Sequence, residues 1–132
     1  MALQDLHIRN RFPNFDVHHK RGKYIWIGGL QPCLSSPIYQ VIIDYQSGKV
    51  PEVRVHWPAL ASNAPHLYQR GTLCLYWPNE WRWHGDELIA DTILPWTASW
   101  LYYYELWLDT GQWLGPSSHD LPISKSEDNR AA

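Results

Sequence analysis

Two neighbouring segments with the character of antiparallel strands constrain the fold of this chain most. Residues 38–45 are rich in Val, Ile and Tyr, and residues 51–57 alternate, with Val53, Val55 and Trp57 on one face and polar side chains on the other. Such alternation is typical of a strand with one buried face. The Gln-Ser-Gly-Lys sequence that separates the two segments is suited to a turn. The pair therefore predicts two adjacent strands of an antiparallel sheet.

A further strand is predicted before these two. Residues 23–27 alternate aromatic and β-branched side chains, and Gly28-Gly29 follows them as an apparent strand end. The segment 30–37 contains two prolines and two serines, which favour a loop. The sequence thus predicts a three-stranded antiparallel meander.

Helices are predicted on both sides of the meander. Residues 2–11 have the pattern of a short amphipathic helix, with Leu3 and Leu6 on one side. Residues 94–108 are predicted to form a second helix, with a proline in the first turn and Gly111 just beyond the end. The apolar face of this second helix is predicted to contain Trp96, Trp100, Leu101, Tyr104 and Leu108.

The order of these elements predicts an α+β fold in one domain. It runs as an N-terminal helix, an antiparallel β-meander, an irregular segment and a C-terminal helix over residues 1–123, followed by a polar tail at 124–132. Nine Trp and eight Tyr supply large side chains for a small core. Trp100 and Tyr104, one helical turn apart, are predicted to be core positions.

Composition and charge argue against several classes of partner. The formal net charge is -2, so no basic excess points to nucleic acid or to an anionic membrane. The sequence has neither a long apolar run nor a basic head followed by an apolar stretch at its N-terminus. We therefore expect a cytoplasmic protein with two free cysteines.

The segment before the second helix carries the most specific motif. Residues 64–75 read APHLYQRGTLCL, which places a cysteine between two leucines just after a Gly-Thr turn. This segment resembles the active-site motif of the ubiquitin-conjugating (UBC-like) enzymes. The motif proline, the aromatic, the turn glycine and the thioester cysteine of that family fall on Pro65, Tyr68, Gly71 and Cys74. Ala64 and His66 stand where the family has histidine and asparagine.

The resemblance covers residues 2–122 as an order of elements and implies the UBC-like fold. Within that family the chain resembles divergent prokaryotic members encoded beside cGAS-like nucleotidyltransferases in CBASS anti-phage operons. The resemblance implies a transferase that carries a protein C-terminus as a thioester on Cys74 and passes it to an amine, usually of a lysine. It also implies a protein substrate, either a cGAS-like nucleotidyltransferase or a ubiquitin-like modifier.

His66 is the second candidate catalytic residue. The resemblance places it where the family asparagine stabilises the oxyanion of the tetrahedral intermediate. A neutral imidazole also offers an N–H donor, and unlike asparagine it can accept a proton from the attacking amine. Both roles remain open from the sequence.

Two other functions are compatible with the same residues. The first is a cysteine (iso)peptidase-like hydrolase with Cys74 and either His66 or His119 as a dyad. The second is a non-catalytic binding module in which Cys74 is a buried structural thiol. His84 is a further histidine that the fold can bring to the site, and Cys33, which lies in no motif, is expected to be structural.

No metal site or cofactor is predicted. The histidines lack ligand spacing, no Cys-x-x-Cys occurs, and no glycine-rich phosphate loop is present. The chain is therefore not expected to adenylate a modifier itself, so activation would come from another protein or be bypassed. The tryptophans at 77, 81 and 83 are expected either to anchor the chain in the core or to form a partner-binding rim.

Overall fold

The computed structural model describes residues 2–76 and 80–116. Its elements are α1 (Ala2–Arg11), β1 (Asp16–Lys20), β2 (Lys23–Leu30), β3 (Tyr39–Gln46), β4 (Glu52–Trp57) and α2 (Ile93–Thr110). The predicted α+β class is therefore confirmed, as is the position of the irregular segment between the last strand and the second long helix. The predicted polar tail at 124–132 and His119 lie outside the described residues.

The strands form one antiparallel sheet in the order β1-β2-β3-β4. The predicted meander is confirmed, but the prediction of three strands is wrong because β1 pairs with β2 from Asp16↔Ile27 to Lys20↔Lys23. Strand β1 lies at the edge of the sheet and is exposed at every position except the half-buried Val17. The strand is held by backbone pairing with β2, by the half-buried Val17 and by the stacking of His19 on Tyr24, so its sequence carries no apolar alternation.

The predicted end of β2 at Gly28-Gly29 is also wrong, since the strand continues to Leu30. A Cβ atom at Gly28 would lie 2.4 Å from the ring of Phe15. The glycine is therefore needed for the close approach of the Phe15 ring to the strand, and it does not mark a turn.

The side chains of strand β4 become more exposed toward the C-terminal end of the strand. Val53 is buried and Val55 half-buried, whereas Trp57 is 63% exposed, so the predicted buried face holds only for the first part of the strand. The register shifts between Gln40 and Val41 of β3, which pair with Trp57 and Val55. A bulge bends the local strand, which fits the departure of Trp57 from the core.

The helix α2 contributes a large part of the core. Trp100 and Tyr104 are both nearly inaccessible, which confirms them as core positions, and Gly111 ends the helix with φ 77° as predicted. Leu108 of the predicted apolar face is instead exposed, because it lies in the last turn beyond the buried stretch. The side chains that join α1, the sheet, the irregular segment and α2 in one cluster include Ile8, Trp26, Val41, Ile43, Val53, Leu73, Leu94 and Leu101.

The predicted orientation of α1 is wrong. Leu3 and Leu6 are 58% and 49% exposed, and the buried residues of this helix are Gln4, Asp5 and Ile8. Leu3 and Leu6 were predicted only to share the apolar side of the helix, but the helix buries Gln4 and Asp5 instead of that side. Those side chains are buried because they have polar partners there.

Gln4 and Asp5 link α1 to the rest of the fold. The Gln4 amide donates to the carbonyl of Glu87 at 2.6 Å and accepts from the N–H of Ile89 at 3.0 Å. One carboxylate oxygen of Asp5 accepts from the indole N–H of Trp26 at 3.0 Å. Thus α1 satisfies backbone groups of the segment that leads into α2 and a polar atom of the core.

Candidate active site

A small hairpin carries Cys74. Leu67 and Leu73 form an antiparallel bridge, and the N–H of Leu73 donates to the carbonyl of Val53 at 2.8 Å. The hairpin is thereby attached to β4, the other edge of the sheet. Cys74 follows the bridge directly, so its position is fixed by the same backbone pairing.

The turn of this hairpin explains the Gly-Thr sequence before Cys74. The N–H of Tyr68 donates to the carbonyl of Thr72 at 2.9 Å, and the N–H of Gly71 donates back to the carbonyl of Tyr68 at 2.8 Å. Gly71 has φ 89°, a conformation that residues with a side chain rarely adopt. The turn therefore requires glycine at this position.

The structure joins His66 and Cys74 through the backbone. The carbonyl of His66 accepts from the N–H of Cys74 at 2.9 Å and from the indole N–H of Trp100 at 3.1 Å. His66 has φ 55°, in the left-handed region where histidine and asparagine are enriched. Its ring packs edge-on against Trp113, with 5.0 Å between centroids. Trp113 thus anchors the segment that follows α2 against the active-site hairpin.

The Cys74 thiol is buried and hydrogen-bonded. The side chain is 5% exposed, its Sγ lies 3.7 Å from the carbonyl oxygen of Tyr76, and the hydroxyl of Tyr68 hydrogen-bonds to it. Burial raises the pKa of the Cys74 thiol, and the hydrogen bond with Tyr68 offsets part of that rise. Burial, and next the hydrogen bond with Cys74, raise the pKa of Tyr68 to about 12.

The interaction of Tyr68 with Cys74 is a feature of the site that the sequence did not predict. The resemblance matched Tyr68 only to the aromatic of the family motif. Its contact with Cys74 follows from the hairpin, which brings residues six apart in sequence to the same side. The available signal was the Gly-containing turn between them, which predicts such a reversal.

A groove of about 640 Å³ opens beside the hairpin. Its walls come from the start of β4, the hairpin turn, the leucines on either side of Cys74, and residues 81–83. Two lining groups, the hydroxyl of Thr72 and the indole N–H of Trp83, are buried without a hydrogen-bond partner among the described residues. The groove therefore offers apolar walls and two unsatisfied polar atoms beside the hairpin that carries Cys74, although Cys74 itself does not line it.

The tryptophans after Cys74 anchor this segment. Trp81 packs edge-on against Tyr76 and Trp96, with centroids 4.7 and 4.9 Å apart, and Trp83 packs against Tyr45 at 5.6 Å. Both are half-buried, so the anchoring interpretation is confirmed for these two. Trp77 lies outside the described residues.

The other candidate residues lie elsewhere or show no contact with the thiol. Cys33 is half-buried in the loop between β2 and β3, where its N–H donates to the hydroxyl of Ser36 at 3.2 Å. Both cysteines are free thiols, as predicted. His84 is exposed in a turn that its carbonyl closes with the N–H of Glu87 at 2.9 Å. Over residues 2–76 and 80–116, no three His, Cys, Asp or Glu side chains are grouped to hold a metal ion.

We expect the stability of the protein to fall at alkaline pH. The folded state raises the pKa of Cys74, Tyr68 and Tyr76 mainly by burial, and that of Tyr39 by burial and by the carboxylate of Glu105. A group whose pKa is raised stabilises the fold below its unfolded pKa, about 8.5 for Cys and 10 for Tyr, and loses that contribution as pH rises through the folded value.

Urea unfolding between pH 7 and 10.5 measures this effect. The free energy of unfolding should stay level to about pH 8 and then decline, more steeply above about pH 10. Cys74→Ala should abolish the decline that begins near pH 8 and leave the steeper decline above about pH 10, which comes from the tyrosines. A constant free energy of unfolding up to pH 10.5 would contradict the raised pKa values of these thiol and hydroxyl groups.

The geometry defines a class of protein: an α+β domain that presents one buried, hydrogen-bonded cysteine at the end of a hairpin, beside a groove. A family model described as Type II CBASS E2 protein matches residues 4–120. The chain belongs to this family, which confirms the resemblance to divergent CBASS-type members. No curated protein matches the chain. Over the described ranges, none of the helices has the length and apolarity needed to cross a membrane.

Proposed function

We propose that this chain is a ubiquitin-conjugating-like acyltransferase with a UBC-like fold, acting in bacterial anti-phage defence. Cys74 carries a protein C-terminus as a thioester and transfers it to an amine, usually of a lysine. The observation that carries the proposal is the placement of Cys74 at the end of a hairpin, in the motif setting of the thioester cysteine, in a member of the CBASS E2 family. The cGAS-like nucleotidyltransferase of the same operon is the proposed protein substrate, with a ubiquitin-like modifier as the alternative.

The chemistry requires two acyl transfers at one sulfur. The Cys74 thiolate attacks the activated carboxyl carbon of the substrate protein, and the activating group leaves as the thioester forms. An amine nitrogen then attacks the thioester carbon, the C–S bond breaks, and the thiolate is restored while the new amide nitrogen loses a proton. Cysteine suits both steps because a thiolate is a good nucleophile and a good leaving group.

Burial of the thiol favours transfer to an amine over hydrolysis. The Cys74 side chain is 5% exposed, so a thioester formed there is shielded from bulk water. The (iso)peptidase alternative needs a water molecule at the same place.

His66 is proposed to stabilise the oxyanion through an imidazole N–H. His66→Gly should slow discharge of a preformed Cys74 thioester by roughly 10²–10³, the usual loss when one oxyanion donor is removed. Glycine is the appropriate deletion here because His66 has φ 55°, where alanine would be strained. Single-turnover discharge to free lysine measures the effect, and rates equal to the parent would exclude His66 from catalysis.

His66→Asn is the matched control, because asparagine tolerates the same backbone conformation and supplies an N–H donor. If His66 acts only as a donor, this variant should discharge at a rate near that of the parent. If His66 also accepts the proton of the amine, the variant should form the thioester normally but discharge it more slowly near neutral pH.

Trapping the thioester tests the proposed function itself. The chain is coexpressed with the cGAS-like nucleotidyltransferase of its operon, and the products are separated without reductant and mapped by mass spectrometry. An adduct on Cys74 that dithiothreitol releases supports the transferase. Cleavage of a conjugate without an adduct supports the hydrolase, and the absence of both supports a binding module.

A further inference from the structure

The segment that follows α2, residues 111–116, packs on the active-site hairpin through one side chain. Trp113 lies against two rings of α2, with its centroid 5.5 Å from that of Trp100 and 6.2 Å from that of Tyr103. It also meets the imidazole of His66 edge-on, with 5.0 Å between centroids and 61° between ring planes. A residue outside the cysteine motif is therefore in contact with the second candidate catalytic residue.

The main chain of His66 is fixed without Trp113. Its carbonyl accepts from the N–H of Cys74 and from the indole N–H of Trp100, and its backbone is held at φ 55°. The imidazole can still rotate about its two side-chain torsions, of which the first has three staggered states. A ring packed against the imidazole limits this rotation, and Trp113 provides one.

We propose that Trp113 is a positioning residue, which holds the imidazole of His66 in the orientation that oxyanion stabilisation requires. The proposal rests on the proposed function, because it gives Trp113 an effect on catalysis only through His66. It extends the site from the motif hairpin to the segment that follows α2.

The surroundings of the indole support a role for the ring itself. The Trp113 side chain is half-buried, and its N–H is buried without a hydrogen-bond partner in the part of the chain that the structure describes. Buried polar groups are normally hydrogen-bonded, so this N–H is a destabilising feature. The contacts of the ring with its three aromatic neighbours have to outweigh it, and edge-on pairs are a favoured aromatic geometry.

Gly115 keeps the indole in this place. A Cβ atom at this buried glycine would lie 2.6 Å from the ring of Tyr103 and 3.1 Å from Nε1 of Trp113. The backbone of residue 115 therefore packs directly on both rings, and an added methyl group would force one of them to move. Gly115→Ala is thus a second way to disturb the indole, and it leaves the chemistry of residue 113 unchanged.

Single-turnover discharge of a preformed Cys74 thioester to free lysine tests the proposal. Trp113→Leu should slow discharge about three- to tenfold, the size of effect expected when one aromatic pair no longer fixes an orientation. Trp113→Phe retains a ring and should recover most of the rate. Gly115→Ala should slow discharge in the same direction, and it decides the outcome if Trp113→Leu lacks a cooperative thermal melt.

A double-mutant cycle separates positioning from general stabilisation. In a His66→Gly background, Trp113→Leu should slow discharge no further, because the imidazole on which it acts is absent. The same slowing in both backgrounds would overturn the proposal. Leu114→Ala is the matched control, since this neighbour is 54% exposed, and its discharge rate should equal that of the parent.

The orientation of the imidazole can be measured without any conjugation partner. Three-bond Hα–Hβ couplings of His66 report its first side-chain torsion, and the signals are assigned by their loss in His66→Asn. At about pH 8.5, two units above the ordinary pKa of histidine, protonation does not complicate the spectra. The parent should show the couplings of one staggered rotamer, and Trp113→Leu should show averaged couplings. Unchanged couplings in Trp113→Leu would overturn the proposal.

The two measurements distinguish failure of this proposal from failure of the proposed function. If His66→Gly slows discharge and Trp113→Leu does not, the proposed function stands and the positioning role fails. If the parent forms no thioester, the proposed function fails, and the couplings decide by themselves whether Trp113 fixes the imidazole.

Discussion

Cys74→Ala is expected to abolish conjugation while leaving the fold intact. The thiol is the atom that bonds to the substrate carbonyl in both proposed steps, so no partial activity should remain. The fold should survive because only one heavy atom is removed from a site held by backbone pairing of the hairpin and by the His66 carbonyl. A conjugation assay and a urea titration of the same preparation measure the two outcomes.

Cys74→Ser tests acylation of residue 74 separately from transfer to the amine. The serine hydroxyl would stand in the same buried place, near the carbonyl of Tyr76 and the hydroxyl of Tyr68. An acyl group that reaches it would form an oxyester, which resists attack by amines better than a thioester does. We therefore expect loss of transfer with a slow build-up of an adduct that dithiothreitol does not release.

Cys33→Ser is the matched control for both variants. Cys33 lies half-buried in the loop between β2 and β3, and its two described hydrogen bonds involve the backbone N–H and carbonyl and not the sulfur. This variant should retain the conjugation rate of the parent. A thiol-labile adduct that depends on Cys33 and survives in Cys74→Ala would show that the wrong thiol has been assigned.

The sequence predicted those elements in which the apolar positions coincide with the side that is buried in the core. Strands β3 and β4 and helix α2 each bury one side against the core, and their patterns are visible in the chain. Strand β1 buries almost nothing, so its Asp-Val-His-His-Lys sequence has no pattern to detect. The inward turn of Gln4 and Asp5 was missed because their partners, Glu87 and Trp26, belong to distant segments.

The same distinction applies to the candidate site: features set by a local motif were predicted, and contacts between distant segments were not. Cys74 could be chosen from the sequence because a motif surrounds it, and the turn glycine at 71 is explained by its backbone. The contact of Arg70 with Glu52 joins residues 18 apart in different elements, so only the attachment of the hairpin to β4 reveals it. The two hydrogen bonds that the His66 carbonyl accepts could not be predicted either, because they depend on the path of the main chain and on the position of Trp100.

Trp100→Ala is expected to destabilise the protein by about 3–5 kcal/mol, the usual cost of truncating a buried aromatic. Trp100 is 2% exposed, stacks on Tyr104 with centroids 5.4 Å apart, and packs against Trp113 at 5.5 Å. Since small domains are stable by only about 5–15 kcal/mol, this loss should leave a marginal fold. Trp57→Ala is the matched control: that tryptophan is 63% exposed, so its removal should cost about 0.5 kcal/mol or less.

Trp100→Phe separates packing from the hydrogen bond to the active-site hairpin. Phenylalanine keeps most of the apolar contact but removes the indole N–H, which leaves the His66 carbonyl with Cys74 as its remaining donor of the two described. We expect a loss of about 1–3 kcal/mol from the missing hydrogen bond and the smaller ring. Because that carbonyl also positions the Cys74 backbone, the alkylation rate of Cys74 should change in Trp100→Phe and not in Trp57→Ala. A urea titration of Trp100→Ala that matches the parent would contradict the assignment of this helix face to the core, and with it the link from α2 to the thiol.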